Sequence, residues 1–344
     1  MRIFSRTSIA TAVAVSVSAA VLGAYGGGSD TAGGSTQLSL VAYSVPKAAD
    51  GALEKAFQKT ADGKGVTFKE SYGASGDQSR AVVSGLKADI THFSLTPDTT
   101  RLVDKGLVAK DWDQTSTKGI LSTSVVAIVV RKGNPKNIQS FADLAKPGVG
   151  IVTPNPGSSG SARWNILAAY QEQIANGASE AQAEAYLTKL FGNVDALPGS
   201  GRDATTAFQG GTGDVLLSYE NEAILARQNG EDIDYVVPQQ TLLIENPGAV
   251  TTDAPEAAKK FLAFGESAEG QKVFAQYGFR PVDGVSGVDV GEVKGANDPA
   301  DPFPAVEKLF TIDKDLGGWE AVNTKFFDEK DGIITKIIAD SGKS

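Results

Sequence analysis

The chain has 344 residues and a formal net charge of −9, with a single His (His92), one Met and no Cys. At about 100 to 200 residues per domain this length implies two domains, and an apolar fraction of 41% excludes global disorder. Without Cys there are no disulfides, thiolate nucleophiles or Cys-ligated metal sites, one His leaves no cluster for a metal or a triad, and the acidic balance lacks a nucleic-acid binder's basic footprint.

The first element is an export signal. Arg2 and Arg6 precede fourteen uncharged, mostly apolar residues from Ile9 to Leu22, a signal-peptide core that falls short of the roughly 20 residues needed to cross a bilayer. Gly26 to Thr36 (GGGSDTAGGST) is a flexible tether, so 1–35 is read as signal and tether and the folded body begins near Gln37. Leu22-Gly23-Ala24 with the following Gly-rich run resembles a bacterial lipoprotein cleavage box, except that Tyr25 stands where that family has Cys, and a phenol cannot form the thioether. The expectation is an exported, periplasmic or extracytoplasmic protein, membrane-tethered only if Tyr25 replaces a native Cys. Loss of Arg2, Arg6 and Asp30 leaves the body one unit more acidic.

Along the body, short apolar runs alternate with helix-period stretches. A strand over Leu38 to Ala42 is followed by a helix over Ala49 to Thr60, then a strand over Val66 to Glu70 and a helix over Gln78 to Lys87. Strands follow over Ile90 to Ser94, Val125 to Val130 and Val149 to Thr153, then helices over Ala162 to Ile174 and Ala181 to Phe191. Strands over Val215 to Tyr219 and Tyr235 to Val237 flank a helix over Glu222 to Gln228, and helices over Glu256 to Phe264 and Glu269 to Tyr277 come last. This is an α/β pattern with largely parallel strands, and VVAIVV (Val125 to Val130) reads as buried on both faces. Leu121 to Arg131 and Ile233 to Pro238 look like crossings between two lobes around a cleft. Lobe I is then 36–122 with 239–315, lobe II is 123–238, and 316–344 is a helical segment packing across them.

Four strand-to-helix junctions carry small polar loops: Tyr43-Ser44-Val45, Gly73-Ala74-Ser75-Gly76, Ser158-Ser159-Gly160-Ser161 and Gly199-Ser200-Gly201-Arg202. Helix starts leave backbone N–H groups without intrahelical partners, and the helix dipole adds partial positive charge, so such ends hold oxyanions. Any one loop is explained as an N-cap or tight turn; four converging beyond the strand carboxyl ends would surround a small anion. Arg163 and Arg202 sit inside two of these loops and are expected to brace them. Glu220, Glu222, Glu231 and Asp232 read as solvated carboxylates, and His92 as a packed or surface residue with no partner for metal or nucleophile work. Gly199-x-Gly201-x-x-Ala204 lacks the context of a dinucleotide fingerprint.

The string TPNPGSSGSARWN (Thr153 to Asn165) resembles the sulfate- and thiosulfate-binding proteins of ABC importers, as do YGASGDQ (Tyr72 to Gln78), DVLLSYENEA (Asp214 to Ala223) and the stretch from Phe310 to Trp319. The resemblance runs from about Leu38 to the last helix. It implies a two-lobed periplasmic binding protein of type II, each lobe a mixed, mostly parallel sheet flanked by helices, closing on one dehydrated sulfate held by hydrogen bonds alone. Carried over by position, the donors are the amides of Ser44 and Ser75, the hydroxyl of Ser159, and the amides of Gly160, Ser161 and Gly201. The family's seventh donor is a Trp indole; Tyr219 stands there, so either a phenol hydroxyl reaches further to serve or the contact is lost. The family often shows Asp at Ser44 and Gly at Ser161. Asp203 bears on specificity, because a carboxylate facing the ligand would admit hydrogen phosphate, which must donate a proton. It is expected to face helix amides or Arg202 instead.

The implied protein is a monomeric receptor, not an enzyme, with sulfate or thiosulfate as ligand, a membrane permease as partner, and no cofactor or metal. Molybdate or phosphate are the nearest competing ligands. An exported phosphate- or sulfate-ester enzyme would need a nucleophile or metal cluster by the cleft, and an adhesion or scaffold module would leave four anion loops without a purpose.

Overall fold

The computed structural model describes residues 35–343; the expected signal and lipoprotein-like box lie outside them. The strands are β1 (Thr36–Tyr43), β2 (Val66–Gly73), β3 (Ile90–His92), β4 (Ile120–Arg131), β5 (Ile151–Val152), β6 (Val194–Ala196), β7 (Val215–Tyr219), β8 (Ile233–Val236), β9 (Gln240–Val250) and β10 (Lys308–Phe310). They pair in the order β2-β1-β3-β9-β4-β7-β5-β6, with β10 on β9 and β8 on β4. β1 runs parallel to β2 and β3, and β5 parallel to β6 and β7, whereas β4 is antiparallel to β7, β8 and β9.

β4 explains how one chain makes two lobes. Its first half pairs with β9 through Ile120 to Val125, and its second half pairs with β7 and β8 through Val126 to Arg131. All but its last residue is buried, which is the reason VVAIVV carries no polar alternation. The strand starts earlier than its apolar run because Ser122 and Ser124 are buried polar residues with partners inside the protein. The return strand is β9, not Ile233 to Pro238: β8 in that stretch pairs with the second half of β4. β9 escapes an apolar-pattern search because it contains Glu245, Asn246, Pro247 and Gly248, and near these residues it passes from β4 to β3. The result is a two-lobed α/β fold in which β4 and β9 each contribute to both lobes.

The predicted helices form with their starts moved by a few residues, and Thr96–Asp104, with Pro97 in its first turn, and Gly201–Gln209 are added. Helix Gly160–Ala175 is buried on all sides over most of its length. Its Trp164, fully buried, stacks edge-on with Trp319. From Gly318 onward the C-terminal segment packs on this helix and on helix Glu180–Gly192, with Arg163 reaching Asn323 and Lys325 reaching Glu180.

Helix Lys47–Phe57 buries a carboxyl group against β2. Glu54 is 8% exposed and its Oε1 has no hydrogen-bond partner; burial, then the neighbouring Glu70, raises its pKa well above the usual carboxylate range. The unfolded chain therefore releases this proton first, and stability falls as pH rises from about 4.3 toward the folded-state value. Glu54→Gln is expected to match the wild type in urea unfolding at pH 4 and to exceed it at pH 9; parallel curves at both values would contradict the buried, protonated acid.

Candidate functional site

The four polar loops do meet. A small cavity lies between the lobes, walled by Tyr43 and Ser44 at the end of β1, Gly73, Ala74 and Ser75 at the end of β2, Ser94 beyond β3, Ser159, Gly160 and Ser161, and Ser200 and Gly201.

Each loop reaches the wall for a local reason. Ser75, Gly160, Ser161 and Gly201 lie in the first turns of their helices, where an amide has no carbonyl four residues behind it within the helix. Ser44 differs: it precedes Pro46, the cap of helix Lys47–Phe57, and belongs to the connection rather than to the helix. Ser159 occupies the cap position of helix Gly160–Ala175 without its side chain bonding to the helix. A serine there normally accepts such a bond, stabilising the helix by about 1 kcal/mol, and Ser200 does so, its Oγ accepting from the Asp203 amide at 3.1 Å. The Ser159 hydroxyl is left facing the cavity.

Charge is kept off the wall: among the described residues, none of those lining the cavity has an ionisable acid or base beyond the Tyr43 phenol. Asp203 is exposed, and its carboxylate accepts from Ser200 Oγ at 2.7 Å, a partner different from the helix amides or Arg202. Arg202 donates to the Val45 carbonyl at 3.1 Å and to Glu222 at 2.8 Å. Arg163 donates to the Pro156 carbonyl and to Asn323. Both arginines brace loops.

One reading from the sequence is corrected. Glu220 and Glu222 are buried, not solvated, in ion pairs with Arg280 and Arg202; burial raises both carboxyl groups and the arginines pull them back down. His92 has two partners, Asp50 Oδ1 on Nδ1 and Ser122 Oγ on Nε2, each at 3.0 Å. This Asp-His-Ser row is sealed from solvent, and no substrate can reach Ser122. Glu231 and Asp232 are exposed.

Tyr219 is fully buried but is not on the cavity wall; its hydroxyl lies 2.7 Å from Ser94 Oγ. Burial raises its pKa far above the ordinary phenol value, so it keeps its proton. Tyr43 and Ser94 were not among the expected donors. Ser94 had a signal, since the run Ile90 to Ser94 ends in a small polar residue just as the loops after β1 and β2 do.

The lobes touch across the cavity. The Gly76 amide donates to the Ser158 carbonyl at 3.2 Å, and Trp164 Nε1 to the Ser94 carbonyl at 3.0 Å. No helix of the described residues is long and apolar enough to cross a membrane.

Residues 38–280 match the family model of bacterial extracellular solute-binding proteins. The sulfate-binding protein of Synechococcus elongatus is 40% identical over 93% of this chain and 92% of its own length. The thiosulfate-binding protein of Pseudomonas aeruginosa is 35% identical over 86% of this chain and 90% of its own. Among solved structures, the sulfate-binding protein SubI of Mycobacterium tuberculosis H37Rv is 47% identical, with a TM-score of 0.79 over 85% of this chain and all of that one.

At Gly160 the seam leaves no room for a side chain. A β-carbon there would stand 2.4 Å from Ser94 Oγ and 2.8 Å from Leu95 Cγ, closer than any real contact. Gly160→Ala is expected to push the lobes apart and speed hydrogen exchange in peptides holding Gly76 and Ser94. Unchanged exchange in a folded variant would mean that the seam yields elsewhere.

Proposed function

The chain belongs to the bacterial extracellular solute-binding proteins, and from that premise we propose that its cavity captures sulfate, or thiosulfate, for delivery to an ABC importer. The observation that carries this reading is the convergence of four small polar loops on one cavity whose wall offers amides and hydroxyls and no ionised side chain.

A buried anion must have its oxygens met by donors, since an unpaired buried charge is expensive. The amides of Ser44, Ser75, Gly160, Ser161 and Gly201 and the hydroxyl of Ser159 are the groups proposed to meet them. Six such charge-assisted bonds at roughly 1.5 kcal/mol each supply about 9 kcal/mol before closure costs, and micromolar affinity requires about 8. The helix dipoles add partial positive charge where the anion would sit.

The same wall sets the choice among oxyanions. Sulfate is a full acceptor at neutral pH, whereas hydrogen phosphate brings a proton that needs an acceptor. With Asp203 turned to Ser200, no carboxylate on the wall offers one. The ligand would touch Ser44 and Ser75 from one side and Ser159 to Ser161 and Gly201 from the other, so binding favours the closed form. A membrane permease reading that closed form is the partner in this scheme, with the receptor acting as an exported monomer and without catalysis. Tyr25 leaves a lipid anchor out of the proposal.

Calorimetry on dialysed, ligand-free protein in chloride buffer is expected to give saturable one-to-one sulfate binding and no phosphate heat at comparable concentration. Ser159→Ala is expected to weaken sulfate binding by about 1 to 3 kcal/mol. Equal affinity in that variant would remove Ser159 from the donor set, and phosphate binding as tight as sulfate would remove the donor-only account.

A further inference from the structure

Resting on the receptor reading above, we infer that Ser94 Oγ is a further direct donor to the bound oxyanion and that Tyr219 is its positioning residue, setting the direction of its hydrogen. Ser94 lies on the cavity wall and is fully buried. Its other polar atoms are committed: its amide donates to Ser75 Oγ at 2.9 Å, and its carbonyl accepts from Trp164 Nε1 and Asn246 Nδ2, each at 3.0 Å. The backbone is thus fixed from three directions, and the hydroxyl's only partner among the described residues is the Tyr219 hydroxyl, at 2.7 Å. Ser94 Oγ also occupies the space that a side chain at residue 160 would need, which places it over the first amides of helix Gly160–Ala175.

Two hydroxyls at this distance have two hydrogens and one bond between them, so one hydrogen is left for another acceptor. Tyr219 does not reach the wall, and its hydroxyl has no hydrogen-bond partner other than Ser94 Oγ among the described residues. Its own hydrogen then goes to Ser94 Oγ, and the Ser94 hydrogen turns to the cavity. A serine locked this way donates to sulfate and has less acceptor capacity left for the proton of hydrogen phosphate. Tyr219 thereby acts on selectivity from behind the wall, without touching the ligand.

The test is a double-mutant cycle read by calorimetry, titrating sulfate and phosphate into the wild type, Ser94→Ala, Tyr219→Phe and the double variant. Ser94→Ala should weaken sulfate about tenfold, a typical loss for one donor to a charged acceptor. Tyr219→Phe should weaken it less and narrow the preference for sulfate over phosphate, because Ser94 is then free to accept. The double variant should match Ser94→Ala alone, since Tyr219 acts through Ser94. Ser94→Cys, close in size and a weak donor, should repeat the loss if the alanine variant fails to fold. Wild-type sulfate affinity in folded Ser94→Ala or Ser94→Cys, or a double variant losing the product of both single effects, overturns the inference alone. Absence of sulfate binding by the wild type removes the receptor reading and this inference together.

Discussion

Backbone N–H groups at helix starts have no partner inside their own helix, and this protein brings three such starts and the end of β1 to one point. Surplus donors turned into a narrow cavity between lobes are unstable unless something accepts from them. Much of the architecture serves that arrangement. The parallel strands β1 and β2 aim their carboxyl ends at the cavity, and β4 and β9, shared between the lobes, hold the two sets of loops in one register. The absence of a side chain at Gly160 lets the sets approach closely enough to touch.

A donor-only wall requires that charge nearby be neutralised elsewhere. Glu222 is buried near the Gly201 loop, but it is held by Arg202 and Thr205, and Arg202 uses a second bond to fix the Val45 carbonyl across the seam. Glu220 is likewise held by Arg280. Breaking such a buried pair leaves an uncompensated charge, which costs more than the pair contributes. These pairs therefore keep the local field set by backbone dipoles rather than by carboxylates. Behind the wall, Asn246 ties the Tyr43 hydroxyl, Ser122 and the Ser94 carbonyl into one network. The cavity wall is thus framed by residues set behind it.

Much of this was legible in the residues. Strands with unbroken apolar runs, such as Val125 to Val130, and helices with a single apolar stripe, such as Ala181 to Phe191, declare themselves through residue pattern. The polar loops declared themselves by composition, and six of the seven expected site residues line the cavity, Tyr219 being the one set behind it. What escaped is what breaks periodicity for tertiary reasons. β9 carries a Pro and a Gly where it changes partners, and Glu220 and Glu222 resemble any exposed helix start until Arg280 and Arg202 arrive from distant segments. His92 acquires its partners from Asp50 and Ser122, 42 and 30 residues away.

By itself the sequence determined the kinds of chemistry available: no thiolate, one histidine, and small polar loops at strand ends able to present amides to an anion. Those are properties of residue type and local spacing, governed by forces acting within a few residues. Tertiary structure alone decided which hydroxyls face the cavity and which are spent. Ser159 and Ser200 occupy equivalent cap positions, yet one bonds to its own helix and the other does not. Ser94 Oγ meets the hydroxyl of a tyrosine 125 residues later in the chain. A hydroxyl's direction is set by the nearest available partner, and that partner is supplied by the fold.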